Sequence, residues 1–297
     1  MTDAEARIEE ILEAFQINLG EYEYEAVDEA IELREEITPY LIKLLEDILA
    51  DPESFSEDQD YVGHIYAVML LAHFRETAAH KQIVELFSLS GDLPGKLFED
   101  ILTEELPMIL FRTCGGNMEQ IKSLVLNRDA NEYCRGAAMR ALTYAVAEGI
   151  TPRQEVLAFF GGLFTGSEAE PHSAFWDFLA ARIYELHPEG MLEQIRAGYE
   201  SGLITGEFIG YKMFEEASEL TVEDWLERVR EQMQRRSMDD LHAAMSWWHC
   251  FQQPDQDWEE ELRQSNQPVS LSKQAKKKKQ ARKKKKKMAK ASRRGNR

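Results

Sequence analysis

The chain has 297 residues, 43% of them hydrophobic and 10% aromatic, with 35 Lys and Arg against 54 Asp and Glu and a formal net charge of −19. That length and apolar content suffice for a substantial core and exclude a disordered acidic solvator. Three widely spaced cysteines, Cys114, Cys134 and Cys250, exclude a disulfide framework and point to a reducing compartment, so cytoplasm is the expected location.

The start, Met1-Thr2-Asp3-Ala4-Glu5, has neither a basic region nor an apolar run, and no secretory signal is expected from it. Apolar residues then recur at helical spacing: Ile8, Ile11, Leu12 and Phe15; Tyr22, Ala26, Val27, Ala30 and Ile31; Leu41, Leu44, Leu45, Ile48 and Leu49. Thr38-Pro39 and Thr151-Pro152 read as helix starts, Thr capping and Pro filling the first helical position. Asp51-Pro52 ends the third helix. The longest apolar run, Ile65 to Ala72, is far short of the roughly 20 residues a spanning helix needs, so no integral membrane association is expected.

Three helix pairs look alike: Tyr61 to Phe87, Tyr133 to Phe164 and Phe175 to Leu203, broken at Arg75-Glu76, Glu148-Gly149 and His187-Pro188. Leu97 to Leu126, interrupted by Cys114-Gly115-Gly116-Asn117, supplies an intervening pair. A lone helix pair leaves an apolar face open, and stacking the next pair covers it. The expected fold is therefore all-α, a degenerate HEAT/armadillo-like array of antiparallel helix pairs, against the alternative of an irregular bundle. Small residues at Ala137, Ala138, Ala141, Ala180 and Ala181 permit close helix approach. Phe208 to Phe251, with Trp247-Trp248, reads as the terminal cap. The expected organisation is an acidic helical-repeat domain over 1–251, a polar linker over 252–270 and a disordered Lys/Arg-rich tail over 271–297.

Ile8-Glu9-Glu10-Ile11-Leu12, Ala26-Val27-Asp28-Glu29-Ala30-Ile31, Arg34 to Pro39 and the Tyr61-to-Phe74 helix together resemble an uncharacterised bacterial helical family, domain of unknown function 1186, over about residues 5 to 250. The resemblance implies an all-helical body. Members of that family often end in a Cys-rich SEC-C-type zinc tail, a type associated with ribosomes or other protein partners. This chain departs there, since no Cys follows Cys250 and a Lys-rich segment stands in its place. Zinc is not carried over, and no metal or cofactor is expected.

Catalytic patterns are weak. Gly91 to Lys96 lacks the spacing and the hydroxyl of a phosphate-binding loop. Gly115-Gly116 and Gly161-Gly162 read as helix ends that tolerate positive φ. Asp60 and His64, one helical turn apart, read as a surface pair before a metal site, and His249-Cys250 as buried or half-buried core. An enzyme with a pocket inside the array, using Asp60, His64 or His249, stands as an alternative, as does a purely protein-binding scaffold; no catalytic residue is assigned.

The strongest signal is charge partition. Residues 271–297 carry 15 Lys and Arg and no acid, residues 1–270 carry 20 basic and 54 acidic side chains, and residues 1–60 alone hold 20 acids and 3 bases. The expected nucleic-acid-binding residues are Lys273, Lys276, Lys277, Lys278, Lys279, Arg282, Lys283, Lys284, Lys285, Lys286, Lys287, Lys290, Arg293, Arg294 and Arg297. Lys ammonium groups attract phosphate without reading bases, and the absence of aromatics from this segment removes base stacking. The expectation is a non-enzymatic adaptor that binds a protein partner with its body and attaches nonspecifically to RNA or ribosomes through its tail.

Overall fold

The computed structural model describes residues 2–251 apart from 59, 207 and 218–220. Among those residues the fold is all-α: helices and two 3-10 turns, with two isolated antiparallel bridges, Ile17 to Tyr61 and Ser90 to Ala130, instead of strands. The expected linker and tail, 252–297, lie outside the described residues. The chain divides into two compact units, the first built from Met1–Leu33, Asp58–Gly63 and the described residues from Met245 onward, the second from Arg34–Glu57 and His64–Ala244.

In the first unit, α1 (Asp3–Gln16) buries Ile8, Ile11 and Phe15, the stripe the sequence shows. Its start is a reciprocal cap, with Glu5 N–H donating to Thr2 Oγ1 (3.2 Å) and Thr2 N–H donating to the Glu5 carboxylate (2.6 Å). Helix α2 (Tyr24–Glu32) packs against α1 through Val27 and Ala30, and Arg7 reaches Glu32 at 3.2 Å across the pair. Asn18 joins three separate stretches of chain. Its N–H donates to the Asp60 carbonyl (2.8 Å), its Nδ2 donates to the Cys250 carbonyl (2.8 Å), and its Oδ1 accepts from Gly20 N–H (2.8 Å). Three backbone groups are satisfied by one residue.

The second unit begins with α3 (Arg34–Ala50) and α4 (Pro52–Glu57). Pro39 lies inside α3, so Thr38-Pro39 is not a helix start; the carbonyl that Pro39 leaves without a donor belongs to exposed Glu35, which faces water, and Thr38 Oγ1 donates to the Arg34 carbonyl (2.7 Å). Asp51-Pro52 does end the helix. Then come α5 (Gly63–His73), α6 (His80–Phe87), α7 (Leu93–Phe98), α8 (Ile101–Glu104), α9 (Leu106–Thr113) and α10 (Glu119–Leu126). They are followed by α11 (Glu132–Ala147), α12 (Arg153–Gly161), α13 (Ala174–Glu185), α14 (Leu192–Glu200), α15 (Tyr211–Ala217), α16 (Val222–Arg235) and α17 (Leu241–Met245). The segments read from the sequence as helix pairs contain α5 and α6, α11 and α12, and α13 and α14, while Leu97 to Leu126 holds the end of α7 and three helices, α8 to α10. Helix α11 packs on both α9 and α13, α10 packs on α6 and α11, and α16 crosses α11 and α13.

Helix α11 is buried almost all round because its sequence is small all round: Gly136, Ala137, Ala138, Ala141, Ala145 and Ala147 let neighbours approach. Trp176, Phe160 and Phe175 are fully buried nearby in chain order on α12 and α13, each stabilising the unit by about 1.5–3 kcal/mol relative to exposure.

The breaks between paired helices are left-handed C-terminal turns. Arg75 (φ 54°), Gly149 (φ 69°) and His187 (φ 64°) each follow a first helix. At two of them the six-to-one bond of a Schellman turn closes, from Glu76 N–H to Leu71 O and from Ile150 N–H to Ala145 O, both 2.9 Å. At the third, Pro188 has no N–H to give. Each end is then clasped by an arginine from another helix. Arg112 on α9 donates to Ala72 O (2.8 Å) and His73 O (3.1 Å), Arg230 on α16 to Ala147 O (2.9 Å), and Arg153 on α12 to Leu186 O (2.6 Å) and His187 O (2.7 Å). A guanidinium there satisfies carbonyls that no intrahelical donor reaches and lies at the negative end of the helix dipole.

Three other expectations are corrected. Pro152 is itself the N-cap of α12, which starts at Arg153 without a side-chain cap. Gly161 and Gly162 have negative φ, so neither supplies a left-handed turn. Gly115 (φ 58°) and Gly116 (φ 84°) do end a helix as expected. Trp247 is 60% exposed and so does not cap a core; the buried residues there are Met245 and Phe251, with half-buried Trp248 stacked on Phe251.

Candidate functional site

The second unit contains a cavity of about 660 Å³, within the range of sites that hold ligands or partner side chains. Its walls come from α11, α13 and α16, with the 208–213 segment and the α8–α9 stretch closing the sides. Local sequence explains each placement. Asn131 caps α11 by accepting from Tyr133 N–H (2.9 Å), and Ser173 caps α13 by accepting from Phe175 N–H (3.2 Å). Glu132 joins these two starts, its carboxylate accepting from Ala174 N–H (3.0 Å) and from the Ser173 hydroxyl. Thr221 and Asp224 cap α16 reciprocally. Asp177 on α13 holds the turn leading to the 208–213 segment, accepting from Thr205 Oγ1 (2.8 Å) and Gly206 N–H (3.2 Å).

Aromatic rings line the walls. Tyr133 and Phe178 meet edge to face at 5.6 Å, Phe178 and Phe208 lie 5.5 Å apart, and Tyr184 meets Trp225 at 4.5 Å. Gly136 makes room for this arrangement, since a Cβ there would stand 2.5 Å from Phe178 Cδ2. Three of the eight most exposed large apolar side chains among the described residues, Phe208 (59%), Met213 (43%) and Tyr133 (43%), belong to this one lining.

Against the rings stand three arginines. Arg182 and Arg140 share a single oxygen of Glu185, at 3.0 and 3.6 Å, and Arg228 lies over the Trp225 ring at 4.8 Å. The side chain of Arg182 is 7% exposed and that of Arg140 34%. Burial pulls the Arg182 guanidinium down to about 10, with Glu185 opposing. Glu104, also on the wall, is engaged by Arg236, which lies outside the lining. The Nε atoms of Arg140 and Arg182 and the second oxygen of Glu185 are buried and lack a hydrogen-bond partner among the described residues. A desolvated cluster with surplus positive charge and unused bonding capacity is a poor way to stabilise a fold and a good way to receive an anion.

The residues singled out in the sequence fall elsewhere. All fifteen Lys and Arg from Lys273 to Arg297 lie outside the described residues. His64, in the second unit, is 3% exposed, with Nε2 against the Leu97 carbonyl and its ring edge-on to Phe98; burial lowers its pKa to about 4. Its reading as part of a surface pair with Asp60 is therefore corrected, because desolvation and a backbone carbonyl hold it in the core. Asp60, half-buried in the first unit, offers its backbone carbonyl to Asn18. His249 is exposed, contrary to the expected core placement, and Cys250 is half-buried. Among the described residues no three His, Cys, Asp or Glu side chains gather in a way that holds a metal ion, and no helix is long and apolar enough to cross a membrane. Sequence reasoning missed the cavity because its arginines sit on three helices. The one local signal was Arg182 and Glu185, three residues apart within the Phe175-to-Leu186 stretch, whose only other charged residue is Asp177.

A family model described as "Protein of unknown function (DUF1186)" matches residues 6–252. Two relatives, each named "Uncharacterized protein", come from Chlamydia trachomatis serovar D and Chlamydia muridarum. Both are 35% identical over 202 residues, covering 68% of this chain and 80% and 81% of their own lengths. No solved structure matches the chain.

Proposed function

The chain belongs to the family described as "Protein of unknown function (DUF1186)", and from that premise we propose that it is a non-enzymatic adaptor. In this reading its helix pairs form a degenerate HEAT/armadillo-like array that docks a partner protein, and its Lys-rich segment attaches nonspecifically to RNA, ribosomal RNA included. The observation that carries the docking half is the 660 Å³ aromatic cavity with exposed Phe208, Met213 and Tyr133 at its edge, because contiguous exposed apolar surface marks interaction sites on soluble folds. The attachment half rests on 15 positive charges within 27 residues free of acids. Joining the two raises the effective concentration of the partner near RNA without any new contact.

Each half has its own test. A photo-crosslinking residue in place of Phe208 captures a partner in cells that the same residue in place of Leu126, also exposed but outside the cavity, does not capture; equal capture, or none at either position, refutes docking. For attachment, full-length protein and a chain truncated after Ser270 are compared by filter binding to structured RNA across a salt series. Six phosphate contacts give a log–log slope of roughly −4 to −5.5. Equal affinity of the two proteins refutes the tether.

A further inference from the structure

We infer that the cavity recognises an acidic side chain, Asp or Glu, flanked by apolar residues in an internal segment of the partner protein. This rests on the docking half of the proposed function and specifies its chemistry. Three features combine to select that occupant.

The first is charge. Arg140, Arg182 and Arg228 face the cavity, and Arg236 engages Glu104. The three are opposed by Glu185 on the wall and by Asp224, which acts on Arg228 from outside the lining, so a positive charge is left over. The chain as a whole carries −19, so this concentration of cations runs against the surrounding field and is a local device. A cationic segment, including one like the chain's own Lys-rich end, is disfavoured here by the same charges.

The second is unused capacity. Arg182, more than nine-tenths buried, has an Nε–H without an acceptor, and so has Arg140. Glu185 shares one oxygen between both guanidiniums and leaves the other without a donor. These atoms are covered as they stand, so a peptide carboxylate supplies acceptor oxygens to the arginines once a guanidinium turns toward the cavity. Small rotations of Arg140, whose side chain is one-third exposed, bring its guanidinium to an incoming carboxylate. Charge-assisted bonds of that kind are about twice as strong as neutral ones.

The third is shape. The exposed rings stand at the edge while Arg182 is deep, so a segment crossing Phe208 and Tyr133 rests its apolar residues there and sends one side chain inward. A free small carboxylate would leave the exposed edge uncovered, which is why a protein segment is the better occupant.

The probe is a pair of fluorescent, end-blocked peptides, Leu-Phe-Glu-Phe-Leu-amide and its Gln isostere, titrated by anisotropy against the full chain at 50 and 300 mM salt. A third peptide carries Gln with a free C-terminal carboxylate. The Glu peptide binds at least tenfold tighter than the Gln peptide, and the preference falls below threefold in Arg140→Gln. A second variant, Arg182→Leu with Glu185→Leu, removes both partners together and so avoids stranding a buried charge; it too loses the preference, with thermal melting confirming a folded chain. Equal affinity for Glu and Gln overturns the inference while leaving docking intact, and the crosslinking from position 208 tells that case apart from failure of docking itself. Preference for the free terminus, or binding of none of the peptides, overturns it as well.

Discussion

Replacing Arg112 by Met tests whether the arginine clasps hold the second unit together. Arg112 is 6% exposed and donates three times: to Ala72 O at 2.8 Å, to His73 O at 3.1 Å and to Asp239 Oδ1 at 2.7 Å. Met keeps most of the volume and removes the donors, so the His73 carbonyl loses its partner, while Ala72 O keeps the bond from Arg75 N–H (3.1 Å). A buried acceptor stranded in this way costs about 1–3 kcal/mol. The Asp239 contact adds little, because that carboxylate is 72% exposed and solvent screens the pair. Relief of burying a cation offsets part of the loss, leaving about 2 kcal/mol of net destabilisation. At about 2–4 °C per kcal/mol for domains of 150–250 residues, the melting temperature falls by about 4–8 °C. Asp239→Asn, which breaks only the exposed pair, shifts it by about 2 °C or less. Differential scanning calorimetry of both variants decides. If Asp239→Asn costs as much as Arg112→Met, the stabilisation comes from the ion pair and the clasp argument fails.

Acid sensitivity follows from His64. Its folded pKa of about 4 lies below the ordinary 6.5, so the unfolded chain takes up the proton first. Stability from this residue is complete above pH 6.5, declines as pH falls toward 4, and amounts to about 3 kcal/mol across that window; urea midpoints measured from pH 7 to pH 4 should show the decline, and His64→Gln should make it shallower without abolishing it, because burial lowers His80 to about 4 as well. Gly136→Ala drives a Cβ into Phe178 and is expected to cost about 1–3 kcal/mol, lowering the melting temperature and weakening peptide binding in the cavity together. A melting temperature unchanged from the parent would show that Phe178 gives way freely.

Much of the helical order was legible because it depends on local pattern. The stripes of α1 and α2 and the breaks at Arg75, Gly149 and His187 lie where apolar spacing and polar interruption put them. At Thr38-Pro39 local pattern failed, since a solvated carbonyl lets α3 run through a proline that would have stopped a buried helix. Trp247 failed for another reason: an aromatic residue read as core material is left outside when Phe251 fills the space. The candidate site was the least legible of all. Arg140, Arg182 and Arg228 are 42 and 46 positions apart, and no periodicity within one helix shows that their helices converge.

The meeting of residues near 18, 60 and 250 on one asparagine has a consequence for synthesis. Because the Cys250 carbonyl is among the partners of Asn18, the amino-terminal helices cannot complete their unit until most of the polypeptide has left the ribosome. Their long wait in a chain that emerges at about 5–20 residues per second lasts on the order of tens of seconds. The dense acid of the first sixty residues then keeps that unfinished unit dispersed through like-charge repulsion, so a composition that looks like surface decoration in the finished protein serves as protection while it is being made.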